Sequence, residues 1–127
     1  MNIYGIGTDI VSVDRIKKTL KNKNILNRLF SKEEIAKCCK LINPNNCYAK
    51  RFAAKEAFSK ALGTGISNGI NFNEIIVMNK KNGKPFIKLN GKTMQIIKKK
   101  FIKAPKIALS LSDEKKYAVA FVTISND

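Results

Sequence analysis

The sequence predicts an α+β fold, a mostly antiparallel sheet packed against one long central helix, and three stretches carry that prediction. Tyr48 to Leu62 is alanine-rich, places Ala54, Phe58, Ala61 and Leu62 at core spacing, and runs into Gly63, a residue suited to ending a helix. Phe72 to Met78 and Phe86 to Leu89 flank a turn containing Asn82-Gly83, with Pro85 at the start of the second strand, which is a hairpin pattern. Further on, Ile107, Leu109 and Leu111 alternate with Ala108, Ser110 and Ser112, and Tyr117 to Ile124 is rich in β-formers. The polar Ser112 to Lys116 joins these last two strands, and the class is α+β.

The other elements follow in order. Ile3 to Val11 reads as a buried strand whose Gly5 and Gly7 let a ligand or another backbone pass close by. Asp14 to Lys21 is a basic helix. Ser31-Lys32-Glu33-Glu34 has the form of a capping box and opens a further helix toward Leu41 and Ile42. Pro44 and its neighbouring asparagines read as a loop, Gly65 extends the turn after Gly63, and a short helix is expected near Thr93 to Phe101. With no linker and no internal repeat, residues 1–127 are expected to form one domain.

Charge sets the broad class of partner. The chain holds 25 Lys+Arg against 9 Asp+Glu, a net +16, and all but three of the cations are lysine. Such a balance favours polyanions without choosing among nucleic acid, an acidic protein and a phosphorylated cofactor. No apolar run approaches the ~20 residues that cross a bilayer, and Met1 to Val13 lacks the basic-then-apolar order of a secretion signal, so the expected location is cytoplasmic. Cys38, Cys39 and Cys47 form no CxxC pair, and without a single histidine a structural zinc site lacks ligands. The three cysteines are expected as reduced, partly buried thiols.

Two carboxylates stand out. Asp9 sits in an apolar strand between Thr8 and Ile10, where it needs a cation, a metal or a set of hydrogen bonds. Glu56 lies on the alanine-rich helix on a face with Phe52 and Lys60, and a plain i, i+4 surface pair with Lys60 is its bland explanation. Taken together, two carboxylates from distant segments with lysines nearby suit a hard divalent cation that keeps its other positions for water and phosphate oxygens, as Mg²⁺ does. With imidazole absent and no suitable cysteine set, positioning and electrostatic stabilisation are the chemistry on offer, and phosphoryl-type transfer uses those.

These segments resemble a known family. Gly5-Ile6-Gly7-Thr8-Asp9-Ile10-Val11 is similar to the amino-terminal motif of the 4′-phosphopantetheinyl transferase superfamily, in particular the bacterial holo-acyl-carrier-protein synthases. Arg51-Phe52-Ala53-Ala54-Lys55-Glu56-Ala57-Phe58-Ser59-Lys60-Ala61-Leu62-Gly63-Thr64-Gly65 resembles that family's signature helix and turn, the most specific of the matches. Gly83-Lys84-Pro85 resembles a shorter third motif, and Leu109-Ser110 with Tyr117-Ala118-Val119-Ala120 resembles its carboxyl-terminal hairpin.

The resemblance implies a fold of that type and transfer of the 4′-phosphopantetheine arm of coenzyme A to a serine of apo acyl carrier protein, in support of fatty acid biosynthesis. It implies Asp9 and Glu56 as Mg²⁺ ligands, with Glu56 and Lys60 as catalytic residues and Lys60 close to the phosphates. Arg15, Arg51, Phe52, Lys60, Gly63, Gly65, Lys84, Pro85 and Lys106 take cofactor-binding positions, and Arg15, Lys17, Lys18 and Lys21 face the acidic carrier protein. It further implies a homotrimer with sites at subunit boundaries. The acceptor of the serine proton stays open between Glu56 and a metal-bound water. Many members carry histidines on either side of the Ser-Leu-Ser stretch, where this chain has Lys106 and Leu111; neither can act as an imidazole base. The rival reading, a small basic nucleic-acid-binding domain, finds no RNP-like aromatic set, zinc finger or helix-turn-helix pattern to support it.

Overall fold

A long glycine-studded strand laid along a nineteen-residue helix organises the molecule. The computed structural model describes residues 2–63 and 69–126. Strand β1 (Asn2–Ser12) leads into three short helices, α1 (Val13–Thr19), α2 (Lys23–Leu29) and α3 (Lys32–Cys38), and then into the long helix α4 (Pro44–Leu62). A 3₁₀ turn (Phe72–Glu74) precedes β2 (Ile75–Asn79) and β3 (Pro85–Leu89), followed by α5 (Gly91–Lys100), β4 (Lys106–Asp113) and β5 (Tyr117–Asn126). Pairing is antiparallel throughout but divided between two sheets, one ordered β1-β5-β4 and one made of β2 and β3.

Small residues bring α4 onto the larger sheet. A Cβ at Gly5 would collide with the carbonyl of Ala61, and one at Gly7 with the carbonyl of Ala57, so only glycine lets the helix backbone lie this close to β1. The close approach that the glycines announced is therefore made by α4. Ala53, Ala57, Ala118 and Ala120 are fully buried in the same core. The expectation of a buried first strand holds for one face only: Gly7 and Val11 point inward, while Ile3, Ile6 and Ile10 are exposed. Alternation sends Ile6 and Ile10 to the face opposite Gly7 and Val11, and a register shift between Ile3 and Gly5 breaks that alternation at Ile3.

Three further sequence expectations need correction. Pro44 does not sit in a loop; it occupies the first turn of α4, where its missing N–H costs nothing, and the helix begins four residues before Tyr48. Residues Lys23–Leu29 form a helix that the sequence reading passed over, capped by Asn22, whose side chain accepts from the N–H groups of Asn24 and Ile25. Cys38 and Cys47 are joined in a disulfide rather than standing as thiols, and Cys39 alone is free and exposed. The end of α3 and the first turn of α4 bring their Cα atoms to 5.5 Å, a proximity that the spacing of nine residues does not disclose.

The capping box at Ser31 is present, the Ser31 hydroxyl accepting from the Glu34 N–H at 3.1 Å and the Glu34 carboxylate accepting from the Ser31 N–H at 3.0 Å. Its helix stops at Cys38, short of Leu41. Glu34 is fully buried and forms an ion pair of 2.7 Å with the equally buried ammonium of Lys55. That ammonium also donates to the carbonyls of Phe72 and Ile75, and the second oxygen of Glu34 accepts from the Val77 N–H. One buried knot thus ties α3, α4, the 3₁₀ turn and β2 together.

Candidate active site

Asp9 and Glu56 line one cavity of about 330 Å³ between β1, α1 and α4. β1 points Asp9 toward the helix side of the sheet, two residues beyond Gly7, and α4 presents Glu56 one turn before Lys60. Ser12, Arg15, Thr19, Leu29 and Phe52 complete much of the wall. Phe52 is set by an edge-to-face contact with Phe72, their centroids 5.8 Å apart. Ser12 caps α1, accepting from the Arg15 N–H at 3.3 Å, which orients the helix carrying Arg15.

The charges are not arranged as a simple helical surface pair would have them. The Lys60 ammonium donates to Asp9 Oδ1 at 3.1 Å and to the Thr8 carbonyl at 3.0 Å; among the described residues its ion pair is with Asp9 and not with Glu56. Burial pushes the Glu56 carboxyl up, Asp9 pushes it further in the same direction, and Lys60 pulls it back in part. A partly buried carboxylate facing another is an arrangement that a cation would relieve. No cluster of three or more Asp, Glu, Cys or His exists among the described residues. The donor set is thus two hard oxygen ligands, which fits Mg²⁺, an ion that keeps several positions for water and phosphate.

A family model described as the 4′-phosphopantetheinyl transferase superfamily matches residues 5–122. The chain belongs to that superfamily. It is 51% identical to a holo-[acyl-carrier-protein] synthase of Pelagibacter ubique over 125 residues, 98% of each chain. Its fold superposes with a TM-score of 0.87 on the crystal structure of the Neisseria meningitidis holo-[acyl-carrier-protein] synthase, at 37% identity over 98% of this chain and 99% of that one. The Bacillus anthracis synthase, solved in complex with CoA (3′,5′-ADP), gives 0.82 at 33% identity with both chains covered in full.

Against the signature of the superfamily, the sequence-derived residues divide into groups. Asp9, Arg15, Phe52 and Glu56 converge on the cavity, and Lys60 joins them through Asp9. Gly63 ends α4 in the left-handed conformation at φ 82°, its N–H donating to the carbonyls of Lys60 and Ser59. Gly65 lies outside the described residues. Lys17 and Lys18 are exposed on α1, with exposed Lys21 just beyond it.

Four residues stand away from this cavity. The buried Arg51 guanidinium donates to the Cys47 carbonyl at 3.4 Å and to Asn79 Oδ1 at 3.2 Å, because it precedes Phe52 and so points to a different face of α4. Lys84 and Pro85 stand at the start of β3, and Lys106 opens β4 as an exposed side chain paired across the sheet with Ser125. Leu111 is half-buried opposite Ala120. The sequence reading missed Ser12 and Thr19 as wall residues, although a serine ahead of Val13-Asp14-Arg15 is a legible helix cap.

Proposed function

We propose that the Asp9, Glu56 and Lys60 constellation is the centre at which this chain, a phosphopantetheinyl transferase of the holo-[acyl-carrier-protein] synthase type, moves the 4′-phosphopantetheine arm of coenzyme A to a serine of acyl carrier protein. The observation that carries the proposal is the convergence of two carboxylates, 47 positions apart in sequence, on one cavity edged by Arg15 and Lys60. The serine hydroxyl oxygen forms a bond to the β-phosphorus of coenzyme A, the bond from that phosphorus to the bridging oxygen breaks, and adenosine 3′,5′-bisphosphate leaves.

Asp9 and Glu56 would hold Mg²⁺, which supplies charge neutralisation at the diphosphate when bound. Lys60, anchored on Asp9 and the Thr8 carbonyl, presents its ammonium to the growing negative charge. Arg15 offers a second cation at the rim. The serine proton passes to Glu56 or to a water beside it; burial and Asp9 raise the Glu56 carboxyl in the metal-free chain, and a bound Mg²⁺ would oppose that shift. Phe52 walls off water on the α4 side. The exposed Lys17, Lys18 and Lys21 complement the acidic surface of a carrier protein beside this rim.

Lys84, Pro85 and Lys106 are assigned to a neighbouring subunit's coenzyme A in a homotrimer, whereas Arg51, buried and bonded to the Cys47 carbonyl and Asn79, braces α4 against β2 rather than meeting the cofactor. Support comes from the outer face of the larger sheet, where Ile6, Ile10, Tyr117, Val119 and Phe121 form an exposed apolar surface of the kind that a second copy covers. No described helix is long and apolar enough to cross a membrane, and a reaction between coenzyme A and a carrier protein belongs in the cytoplasm.

Apo acyl carrier protein incubated with the chain, coenzyme A and Mg²⁺ should gain the mass of phosphopantetheine by mass spectrometry. An unchanged carrier mass would overturn the proposal. Light scattering that returns a monomer mass at micromolar concentration would overturn the trimer.

A further inference from the structure

A second cavity, sharing no residue with the first, opens between β3, α5 and β4. Its volume is about 510 Å³, within the ~300–1,000 Å³ span typical of small-molecule sites. The walls are Ile87, Leu89, Met94, Ile97, Phe101 and Ile107, and Lys98 is the sole charged side chain among the lining residues. Phe101 and Ile102 form a shared wall with an adjoining cavity of about 200 Å³ that is lined by Lys100, Lys103, Tyr4 and Asn126. Ile102 itself is fully exposed. An apolar chamber therefore abuts a cationic one across two side chains.

We infer that this pair of cavities binds a single-chain anionic amphiphile of the fatty-acid class, the alkyl chain lying along Met94, Ile97 and Ile107 and the acidic head on Lys100 and Lys103. Charge complementarity decides the occupant. An uncharged ligand would leave Lys103 and Lys100 without a counter-charge, the Lys100 ammonium having only the Tyr4 ring, 5.5 Å from its centroid, and a polyanion would gain nothing from the apolar chamber. A second copy of the chain is an inferior occupant, because Ile107 lies across the sheet from buried Ile124 and so faces inward, away from the exposed apolar surface of β1 and β5. Fatty acids are also the product class of the biosynthesis that carrier-protein activation supports, which gives such a site an evident use in sensing end product.

The test is a calorimetric titration of the full chain with sodium octanoate, decanoate and dodecanoate, each below its micelle-forming concentration. Affinity should rise about fourfold per added methylene, the equivalent of the ~0.8 kcal/mol that burying one CH₂ contributes. Dodecyl maltoside, uncharged, should bind at least tenfold more weakly than dodecanoate, as should dodecanoate to the Lys100→Ala/Lys103→Ala variant. Ala104→Phe places a ring into the apolar chamber from an exposed position and should abolish binding while leaving the far-UV spectrum and transferase turnover unchanged. Affinity independent of chain length would mean ionic adsorption to a lysine-rich surface and would overturn the inference. So would undiminished binding to Ala104→Phe, or binding to phosphatidylglycerol vesicles with none to the monomeric soaps.

Discussion

The Lys60 ammonium is bound to Asp9, 3.1 Å from Oδ1, and leaves Glu56, its neighbour one helical turn away, without that neutralisation. The first carboxylate is thereby satisfied in the resting protein and the second is held under strain from burial and like charge. Lys60 is more than half exposed, so its pair with Asp9 adds little to stability, in the range of ~0.2–1 kcal/mol for exposed pairs. Lys60→Met should therefore fold normally, with a melting temperature close to wild type, while kcat falls by roughly 10²–10³, the loss typical when a charge-stabilising donor is removed. Near-normal turnover would return Lys60 to the role of surface cation.

Glu56→Gln separates stability from activity. A carboxyl whose folded value is raised contributes stability that is fully present below its unfolded value and is lost as pH rises through the folded one. At neutral pH the raised Glu56 carboxyl therefore burdens the fold, and Glu56→Gln in metal-free buffer should melt higher than wild type, the advantage shrinking as pH falls toward the ordinary carboxylate range. Turnover should nonetheless fall steeply. In the proposed site Asp9 and Glu56 work as one unit, so adding Asp9→Asn should cost little further activity beyond the worse single variant. Additive losses, or a wild-type Mg²⁺ requirement in either single variant, would argue against a shared metal.

Reversing Lys17, Lys18 and Lys21 to glutamate should raise the KM for carrier protein at least tenfold and leave that for coenzyme A nearly unchanged. These side chains are exposed on or just beyond α1, whose other face contributes Arg15, Ile16 and Thr19 to the cavity wall. Added salt should reproduce the effect, because exposed charges are screened over a Debye length of roughly 8 Å at physiological ionic strength. Steady-state kinetics at two ionic strengths would decide, and equal losses for both substrates would count against the docking surface.

What was legible in the sequence followed from local rules. Gly63 as a helix stop, the Ser31 capping box, the Asn82-Gly83 turn and the alternation after Ile107 each act over a few residues, and each stands in the fold. What was not legible depends on tertiary placement. Pro44 is equally at home in a loop or at the first turn of a helix, and only the packing of α4 selects the second. Ile3, Ile6 and Ile10 look like core because the sequence does not say which face of the strand is covered. Asp9 and Glu56 were named from types and motif, but that Lys60 belongs to Asp9 could be learned only from geometry, since helical spacing favours Glu56. The buried Lys55–Glu34 pair escaped notice for the same reason: nothing local joins residues 21 apart.

The Cys38–Cys47 bond should stabilise the fold by closing a short loop in the unfolded chain. For a loop of about ten residues the chain-entropy estimate is roughly 2–3 kcal/mol. Reduction of the wild type should lower its denaturation free energy by about that much, and a Cys38→Ala/Cys47→Ala variant should no longer respond to reductant. Thiol titration of the native protein should find one accessible group, Cys39. Three reactive thiols in the native state would mean that the pair is reduced.

The largest single loss of stability should come from the buried knot at Lys55. Its ammonium is held at 2.7 Å by Glu34 and at 2.8 Å by the Phe72 carbonyl, with Ile75 supplying a third acceptor, and its charge lies 5.3 Å from the Phe30 ring centroid. Burial lowers its pKa to about 8 even with Glu34 and Arg51 nearby, the first raising it and the second lowering it. Lys55→Met strips one partner from a buried pair and should cost ~3–5 kcal/mol. The two orphaned carbonyls add to this at ~1–3 kcal/mol each. Glu34→Met should also be costly, since its carboxylate serves the Ser31 and Val77 N–H groups besides Lys55. In the double variant Lys55→Met/Glu34→Met the buried charges disappear together, and its cost should fall below the sum of the singles by 1 kcal/mol or more, a coupling of the ~0.5–3 kcal/mol size seen for residues in one network. Urea denaturation of the four proteins at pH 7 measures the coupling, and strictly additive losses would show the pair to be packing and nothing more.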